Sequence, residues 1–416
     1  MMIGVLVQVF SLLSGLMINF FTPIIYGIEQ YGLFIKLNIL VYVFHRFSDI
    51  TSESLIAMAG QGSVFFQSLV VNGVYFSIFL LLQFFFASGS ALLLGSMLLS
   101  SSVLLSFYAQ RRLGAVLALL IVVTLTFFSL GCLQWAGSIY LDIQQLMVVS
   151  TLPVAVVGLV VLSWHHRAEL VCVSSYSALW RVVAALPKMM SMTLVFNSLT
   201  NFIPYFAAQV LAPREMGVLR IMLSVVQSVS SVFPLNIKHL FSTLVRSVNK
   251  QHLLYALMNV AAVYFMALAC GFLVLGQFYA PVQIYTKLLA LLPLFFCSML
   301  IERYLQSGGQ GRLLAFVNLL TSGPIFIGAI YSESLQSFYF LYAASIVVYF
   351  SILLTVARVR TCWHYLLLLA SCVVQSILIE ISVLAVFAVL LCTLVLFVAR
   401  KSILRESLNT IKGEIR

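Results

Sequence analysis

A largely apolar stretch, residues 33–58, contains His45, Arg46, Asp49 and Glu53 and reads LFIKLNILVYVFHRFSDITSESLIAM. Helical spacing places His45, Asp49 and Glu53 in one row, with Arg46 beside Asp49. In a bilayer each mid-depth charge costs about 2.5–3.5 kcal/mol, so such groups face a partner or a water-filled cavity. An arginine there suits a phosphate or carboxylate, and a carboxylate suits a proton or cation.

These residue types leave two interpretations open. Arg46 either faces a cavity as an anion-binding group or forms a neutral local pair with Asp49. Asp49 and Glu53, with His45 beside them, either support Arg46 or bind a coupling cation or proton. Two further cations, Lys36 and Arg220, lie near the outer ends of their apolar stretches, where extension to the membrane interface is the structural alternative to a cavity role.

The composition predicts an all-α, polytopic membrane protein, because 63% of the 416 residues are hydrophobic and only 8% are charged. The net charge of +11 comes from short loops between apolar runs, which is an orientation signal and predicts no nucleic-acid partner. Seven scattered cysteines without a CxxC pair predict neither disulfides nor a metal site, and no cofactor is expected. The first apolar run has no basic segment before it, so we expect a retained helix.

Twelve to fourteen transmembrane helices are predicted from the apolar runs, the last two being short. The predicted spans are residues 3–26, 33–58, 64–86, 89–109, 113–135, 143–164, 187–211, 216–237, 253–278, 285–305, 312–331, 336–357, 363–379 and 382–399. With a cytoplasmic N-terminus, most Lys and Arg residues fall on the cytoplasmic side. The distribution therefore favours cytoplasmic N- and C-termini.

The spans fall into two blocks. We expect an N-terminal lobe at 1–164, a cytoplasmic connector at 165–186, a C-terminal lobe at 187–358, two extra spans at 359–399 and a basic cytoplasmic tail at 400–416. Each lobe would contain six helices.

A similarity between two segments of the chain supports this division. YGIEQYGLF at 26–34 and LAPREMGVL at 211–219 occupy equivalent turns, with Gly32 aligned to Gly217. A cation follows each glycine, Lys36 in the first segment and Arg220 in the second. Two similar halves are a common transporter plan, with the substrate site between them.

Polar residues in the first helices of both blocks are candidates to line a cavity: Asn19, Asn197 and Asn201. Gln227 joins Arg220 on a polar face of the eighth predicted span. The alternative for each asparagine is hydrogen bonding between helices.

The sequence does not favour an enzyme. The glycine-rich RYLQSGGQGR lacks the Lys-Ser/Thr ending of a phosphate-binding loop, so no nucleotide site is predicted. A polysaccharide polymerase or membrane glycosyltransferase needs a large outer loop or an external carboxylate cluster, and the predicted outer loops are short.

Three segments resemble one family. They are NFFTPIIYG followed by IEQYGLF, the stretch 187–245 with its PREMG turn, and SMLIERYLQSGGQGRLLAFVNLL at 298–320. Together with the span count they are similar to Wzx-type flippases, the polysaccharide-transport branch of the MOP superfamily.

The resemblance implies a MOP flippase fold, with two six-helix lobes around a cationic central cavity in a bacterial inner membrane. The implied cargo is an undecaprenyl-diphosphate-linked oligosaccharide, an O-antigen or similar repeat unit, moved to the periplasmic leaflet. Polysaccharide polymerase and chain-length machinery are the implied protein partners. Cavity arginines on the second and eighth helices of related flippases correspond by helix to Arg46 and Arg220, with Lys36 beside them. A cation-coupled multidrug or toxin antiporter of the same superfamily, using Asp49 or Glu53, is the alternative.

Overall fold

The structure is a computed structural model. It describes residues 2–58, 64–86, 89–110, 112–165, 180, 203–231, 244, 247–278, 288, 291–308, 310, 313–314, 316–318, 320–321, 327–328, 331–332, 334–358, 363–378 and 382–415. The chain divides into an N-terminal unit, Met1–Arg220, and a C-terminal unit, Ile221–Arg416, and each is considered by itself. Within the described ranges all regular structure is helical.

The N-terminal unit begins with a long, interrupted helix, which is followed by further apolar helices. Its elements are α1 (Met2–Leu16), a π-helix (Met17–Phe21), α2 (Thr22–Tyr26), α3 (Ile28–Leu37), α4 (Ile39–Met58), α5 (Val64–Phe86), α6 (Ala91–Ala109), α7 (Leu113–Trp135), α8 (Ile143–His165), α9 (Ile203–Val210) and α10 (Pro213–Ser231), the last of which continues into the second unit.

The first predicted span is a helix with a π-helical turn just before Pro23. Proline has no backbone N–H, so the carbonyls of the preceding turn need other donors. The Thr22 hydroxyl supplies one of them, because it donates to the Ile18 carbonyl at 2.5 Å. One turn earlier, the Asn19 carboxamide donates to the Gly15 carbonyl at 2.7 Å.

The second predicted span differs from the observed helices. It was expected to run unbroken over 33–58, whereas the structure places α3 from Ile28 and begins α4 at Ile39. Asn38 lies at the junction, where its carboxamide donates to the Phe34 carbonyl at 3.1 Å and accepts from the Ser90 N–H at 3.0 Å. An asparagine side chain that bonds to nearby backbone competes with the regular helix, which explains the break.

Buried polar groups join the central helices of this unit. The Asn72 carboxamide on α5 accepts from the Ser48 hydroxyl on α4 and donates to the Ser102 hydroxyl on α6 at 2.7 Å and to the Leu98 carbonyl at 3.1 Å. Helices in lipid gain little from hydrophobic association, so close packing and interhelical hydrogen bonds hold them together. Asn72 therefore fixes the relative position of three helices.

The C-terminal unit is built around one long helix. Its elements are α11 (Lys250–Phe278), α12 (Leu292–Ser307), α13 (Leu335–Val356), α14 (Trp363–Leu378), α15 (Val383–Val398) and α16 (Lys401–Ile415). Helix α11 packs against α12, α15 and α16, while α13 packs against α12 and α14. Aromatic contacts such as Phe265 with Phe296, whose ring centroids are 4.4 Å apart, fill the α11–α12 interface.

Seven helices within the described ranges are long and apolar enough to cross a membrane, and eight if the bent pair 384–398 and 402–412 is one span. The prediction of a helical, multi-pass membrane protein is confirmed at that level. The count of twelve to fourteen and the two-lobe arrangement remain predictions. The connector at 165–186 and the predicted spans 187–211, 216–237, 285–305, 312–331 and 363–379 lie wholly or partly outside the described residues.

The basic tail predicted at 400–416 is largely the helix α16. Its buried residues Ser407 and Ile411 lie one turn apart, and the Ser407 hydroxyl accepts a hydrogen bond from Asn259 of α11 at 3.3 Å. Arg405 and Lys412 are exposed. The tail is therefore an amphipathic helix packed on α11.

Candidate functional site

Two glycines allow α3 and α10 to come into backbone contact inside the N-terminal unit. A Cβ added at Gly32 would lie 1.7 Å from the Pro213 carbonyl oxygen, and one added at Gly217 would lie 2.6 Å from the Ile28 carbonyl oxygen. Each glycine thus faces the backbone carbonyl of the residue that lies four positions before the other glycine. The two segments that echo each other in sequence meet in a locally symmetric contact.

This contact determines where Arg220 lies. Gly217 and Arg220 are three residues apart on α10, so they share the helix face that meets α3. The guanidinium carbon of the half-buried Arg220 lies 4.8 Å from the centroid of the Tyr42 ring on α4. A cation at that distance over an aromatic face is attracted by the ring's negative face. Tyr42 therefore holds the arginine without neutralising its charge.

A second tyrosine completes the surroundings of Arg220. The Tyr31 hydroxyl interacts with the guanidinium and also donates to the Asn19 carboxamide oxygen at 2.8 Å. The Arg220 Nε is buried and has no hydrogen-bond partner among the described residues, and no described carboxylate forms an ion pair with this arginine. Among the described residues, the site therefore has one buried donor, the Arg220 Nε, without an acceptor. We call Arg220, Tyr31, Tyr42 and Asn19 the Arg220 site.

Lys36 forms a hydrogen bond to the backbone in this structure. Its ammonium donates to the Leu211 carbonyl at 2.7 Å, immediately after α9 ends at Val210. A lysine at a helix C-terminus satisfies an orphan carbonyl and interacts favourably with the helix dipole. The interaction anchors α3 to α9. The diphosphate-binding role predicted for Lys36 stays a prediction.

The other predicted site residues are placed as follows. Arg46 is exposed one turn beyond Tyr42 on α4, and His45 is half-buried beside it. The backbones of Asp49, Glu53 and Gln227 are helical, but their side chains lie outside what the structure describes, as do Asn197 and Asn201 entirely. Asn19 makes hydrogen bonds within its helix and to α3, which fits the alternative of an interhelical role. No described group of three or more His, Cys, Asp and Glu side chains could hold a metal ion.

Sequence reasoning missed both tyrosines of the Arg220 site. The sequence contains 18 tyrosines, and nothing in their spacing distinguishes Tyr31 and Tyr42. Their role depends on contact with a helix almost two hundred positions later. Only the pairing of the two echoing segments, followed by inspection of aromatic residues near each glycine, could have identified Tyr31.

A second missed feature lies in the C-terminal unit. The Glu302 carboxylate on α12 accepts a hydrogen bond from the Tyr349 hydroxyl on α13, and Asn318 also interacts with that hydroxyl. Tyr349 and Asn318 are buried, and Glu302 is half-buried. An acid directly after the apolar run LPLFFCSMLI is the same signal that singled out residues 33–58. Glu302 could therefore have been identified as a candidate from the sequence alone.

Tyr31→Phe should destabilise the protein measurably. Tyr31 is 1% exposed, and the substitution leaves the Asn19 carboxamide oxygen without its donor. Losing one partner of a buried hydrogen bond costs about 1–3 kcal/mol. We expect the thermal unfolding midpoint in detergent to fall by several degrees. The control Tyr140→Phe removes a hydroxyl from a side chain that is 89% exposed and should leave the midpoint unchanged. Equal midpoints for both variants would contradict the role given to Tyr31.

Comparison with known proteins found no match: no family model, no curated protein and no solved structure matches this chain. Its function is therefore inferred from its own residues.

Proposed function

We propose that this protein is a flippase, which moves an undecaprenyl-diphosphate-linked oligosaccharide, an O-antigen or similar repeat unit, from the cytoplasmic to the periplasmic leaflet by alternating access. The observation that carries the proposal is the Arg220 site, where a guanidinium lies over the Tyr42 ring and its buried Nε has no acceptor among the described residues. The resemblance of the turn sequences to polysaccharide flippases supports the same class.

An anion is the ligand that suits this site. A charge removed from water is unfavourable unless a counter-charge or hydrogen bonds compensate for it. The Tyr42 ring and the Tyr31 hydroxyl compensate in part, and no described carboxylate completes the pairing. A diphosphate presents several oxygens to arginine's planar fork and would satisfy the remaining donors.

The other cations have supporting roles in this proposal. Arg46, on the same helix as Tyr42, would supply a second guanidinium, and Lys36 would contribute only after releasing the Leu211 carbonyl. Asp49 and Glu53 would hold Arg46 or bind a coupling ion. The lipid tail stays in the bilayer while the head group crosses. Outward movement of negative charge is favoured by about 2.3 kcal/mol per charge per 100 mV, inside negative.

The proposed architecture has twelve to fourteen helices in two six-helix lobes, 1–164 and 187–358, around a central cavity, in the bacterial inner membrane with both termini cytoplasmic. Polysaccharide polymerase and chain-length machinery would receive the product. In this scheme the chain binds and moves its substrate without chemical conversion.

One observation favours the alternative, a cation-coupled multidrug or toxin antiporter. Glu302 is a half-buried carboxylate that accepts a hydrogen bond from Tyr349. A carboxylate between packed helices can bind a proton or cation, which antiport of organic cations requires. The Arg220 site does not suit a cationic drug, so the flippase remains the preferred function.

Deleting the gene in its host tests the proposal. A flippase is needed to bring the lipid-linked unit to the outer leaflet, so its loss should trap that intermediate on the cytoplasmic face and abolish surface polysaccharide. Leaflet-specific labelling of extracted lipid-linked oligosaccharide measures the first effect, and surface glycan staining measures the second. Complementation with the wild-type gene should restore both.

Two outcomes of the deletion would contradict the proposal. Normal surface glycan together with new sensitivity to cationic dyes would identify the antiporter. Lipid-linked single units already on the periplasmic face would identify a polymerase.

A further inference from the structure

A pocket in the C-terminal unit lies at the bend between α15 and α16, beside α11. Its apolar lining includes Val263, Leu396, Phe397 and Leu404, and its polar groups are Asn259 and Arg400. The pocket is far in sequence from the Arg220 site and has no part in the proposed transport mechanism. It combines a hydrophobic wall with the cationic side chain of Arg400.

The bend lies where the chain changes from apolar to polar. Helix α15 reads VLAVFAVLLCTLVLFV, whereas α16 reads KSILRESLNTIKGEI. The two helices are inclined by 72°. A segment as apolar as α15 belongs in the hydrocarbon, and one as polar and amphipathic as α16 belongs at the interface. The pocket therefore lies at the level of lipid head groups.

The polar end of the pocket suits a phosphate. Arg400 immediately precedes α16, and its carbonyl accepts the first bonds of that helix from the N–H groups of Ile403 and Leu404. The N–H groups of the residues just after Arg400 have no partner within the helix, and the helix dipole adds partial positive charge there. A guanidinium next to a helix N-terminus is an arrangement that binds anions well.

Hydrogen bonds keep the pocket in shape. Asn259 on α11 donates to the Ser407 hydroxyl of α16 at 3.3 Å and accepts from the Tyr365 hydroxyl of α14 at 3.0 Å. These bonds connect three helices around the pocket. A preformed pocket binds its ligand without the entropic cost of ordering its walls.

We propose that this pocket binds one anionic phospholipid of the surrounding leaflet, with its phosphate at Arg400 and the N-terminus of α16 and an acyl chain against Val263, Leu396 and Phe397. The apolar wall favours a lipid over free phosphate, which would gain nothing from those side chains. The outer face of α16 fits the same surroundings, because Arg405 and Lys412 are exposed on either side of Leu408, itself 41% exposed. Basic residues at the interface are attracted to anionic head groups.

Native mass spectrometry of the full-length protein with phosphatidylglycerol, and separately with phosphatidylcholine, tests the proposal. The wild type should retain one phosphatidylglycerol in preference to phosphatidylcholine. Arg400→Gln should weaken that binding by about tenfold, because it removes a charge-assisted hydrogen bond. The matched control Arg405→Gln removes an exposed arginine one turn further along α16, outside the pocket, and should retain the lipid.

A second variant separates the contribution of the apolar wall to lipid binding from the contribution of the positive charge. Val263→Phe fills the apolar wall and leaves every basic residue in place, so it should also displace the lipid. Retention of phosphatidylglycerol by both Arg400→Gln and Val263→Phe would overturn the proposal. Equal losses in Arg400→Gln and Arg405→Gln would mean attraction to the basic surface alone, and displacement by millimolar inorganic phosphate would mean an anion site without lipid specificity. Each of these results also overturns it.

Discussion

Gly32→Ala is expected to prevent the N-terminal unit from folding correctly. The added methyl group would lie 1.7 Å from the Pro213 carbonyl oxygen and 2.9 Å from the Gly217 nitrogen. Both are backbone atoms, so no side chain can rotate away and the two helices must separate. Overpacking typically costs about 1–3 kcal/mol, and we expect at least the upper end here. Gel filtration in detergent should show little monodisperse protein.

The matched control is Gly73→Ala on α5, where an added Cβ would have no neighbour within 4 Å. Alanine within a helix is favoured over glycine by about 0.5–1 kcal/mol, so this variant should be as stable as the wild type or more so. Gly217→Ala should resemble Gly32→Ala, because it meets the Ile28 carbonyl oxygen at 2.6 Å. Normal yield and a normal unfolding midpoint for Gly32→Ala would show that α3 and α10 do not pack as described.

Arg220→Gln is expected to reduce export of the lipid-linked oligosaccharide by about 10- to 100-fold, with normal amounts of protein in the membrane. The substitution removes the charge that the proposed mechanism uses to bind the diphosphate, and hydrogen bonds to charged groups contribute about 1.5–3 kcal/mol. Arg220→Lys should retain part of the activity, since lysine keeps the charge without the planar fork. Export in a complemented deletion strain measures each variant.

Two further variants separate the role of the site from charge in general. Arg214→Gln removes an exposed arginine from the same helix and should leave export unchanged. Tyr42→Phe keeps the ring under Arg220, whereas Tyr42→Leu loses a cation–π contact worth about 0.5–2 kcal/mol. Export should therefore survive in Tyr42→Phe and fall in Tyr42→Leu. Wild-type export in Arg220→Gln would refute a diphosphate-binding role for Arg220.

The long apolar helices could be predicted from the sequence almost to the residue. The spans predicted at 64–86 and 113–135 are the helices Val64–Phe86 and Leu113–Trp135. In each case a mainly apolar run of bilayer length, without a charged residue, ends at a loop, so length and hydropathy suffice. The break at Asn38 was missed because an asparagine within a span is compatible with a regular helix. Its effect depends on Ser90, which packs against it from a distant part of the chain.

The candidate site was predictable only in part. Arg220 was identified because an arginine in an apolar helix is costly, a property of the residue and its local sequence. Its partners were not identifiable, since Tyr31 and Tyr42 acquire their roles through contacts across a large sequence separation. Lys36 carries the same local signal as Arg220, yet it binds a backbone carbonyl. Local sequence indicates that a buried cation needs a partner, and only tertiary structure determines which one.

The contact between Gly32 and Gly217 also has a consequence for biosynthesis. The ribosome synthesises α3 early, but the segment that packs on it, with Pro213 and Gly217, is translated about 180 residues later. At roughly 5–20 residues per second, that interval is about 10–40 s. During this time the nascent chain must keep a groove open for a helix that does not yet exist. Correct assembly of the N-terminal unit therefore depends on late closure by α10, and a ribosome stalled before residue 213 would leave the unit unfinished in the membrane.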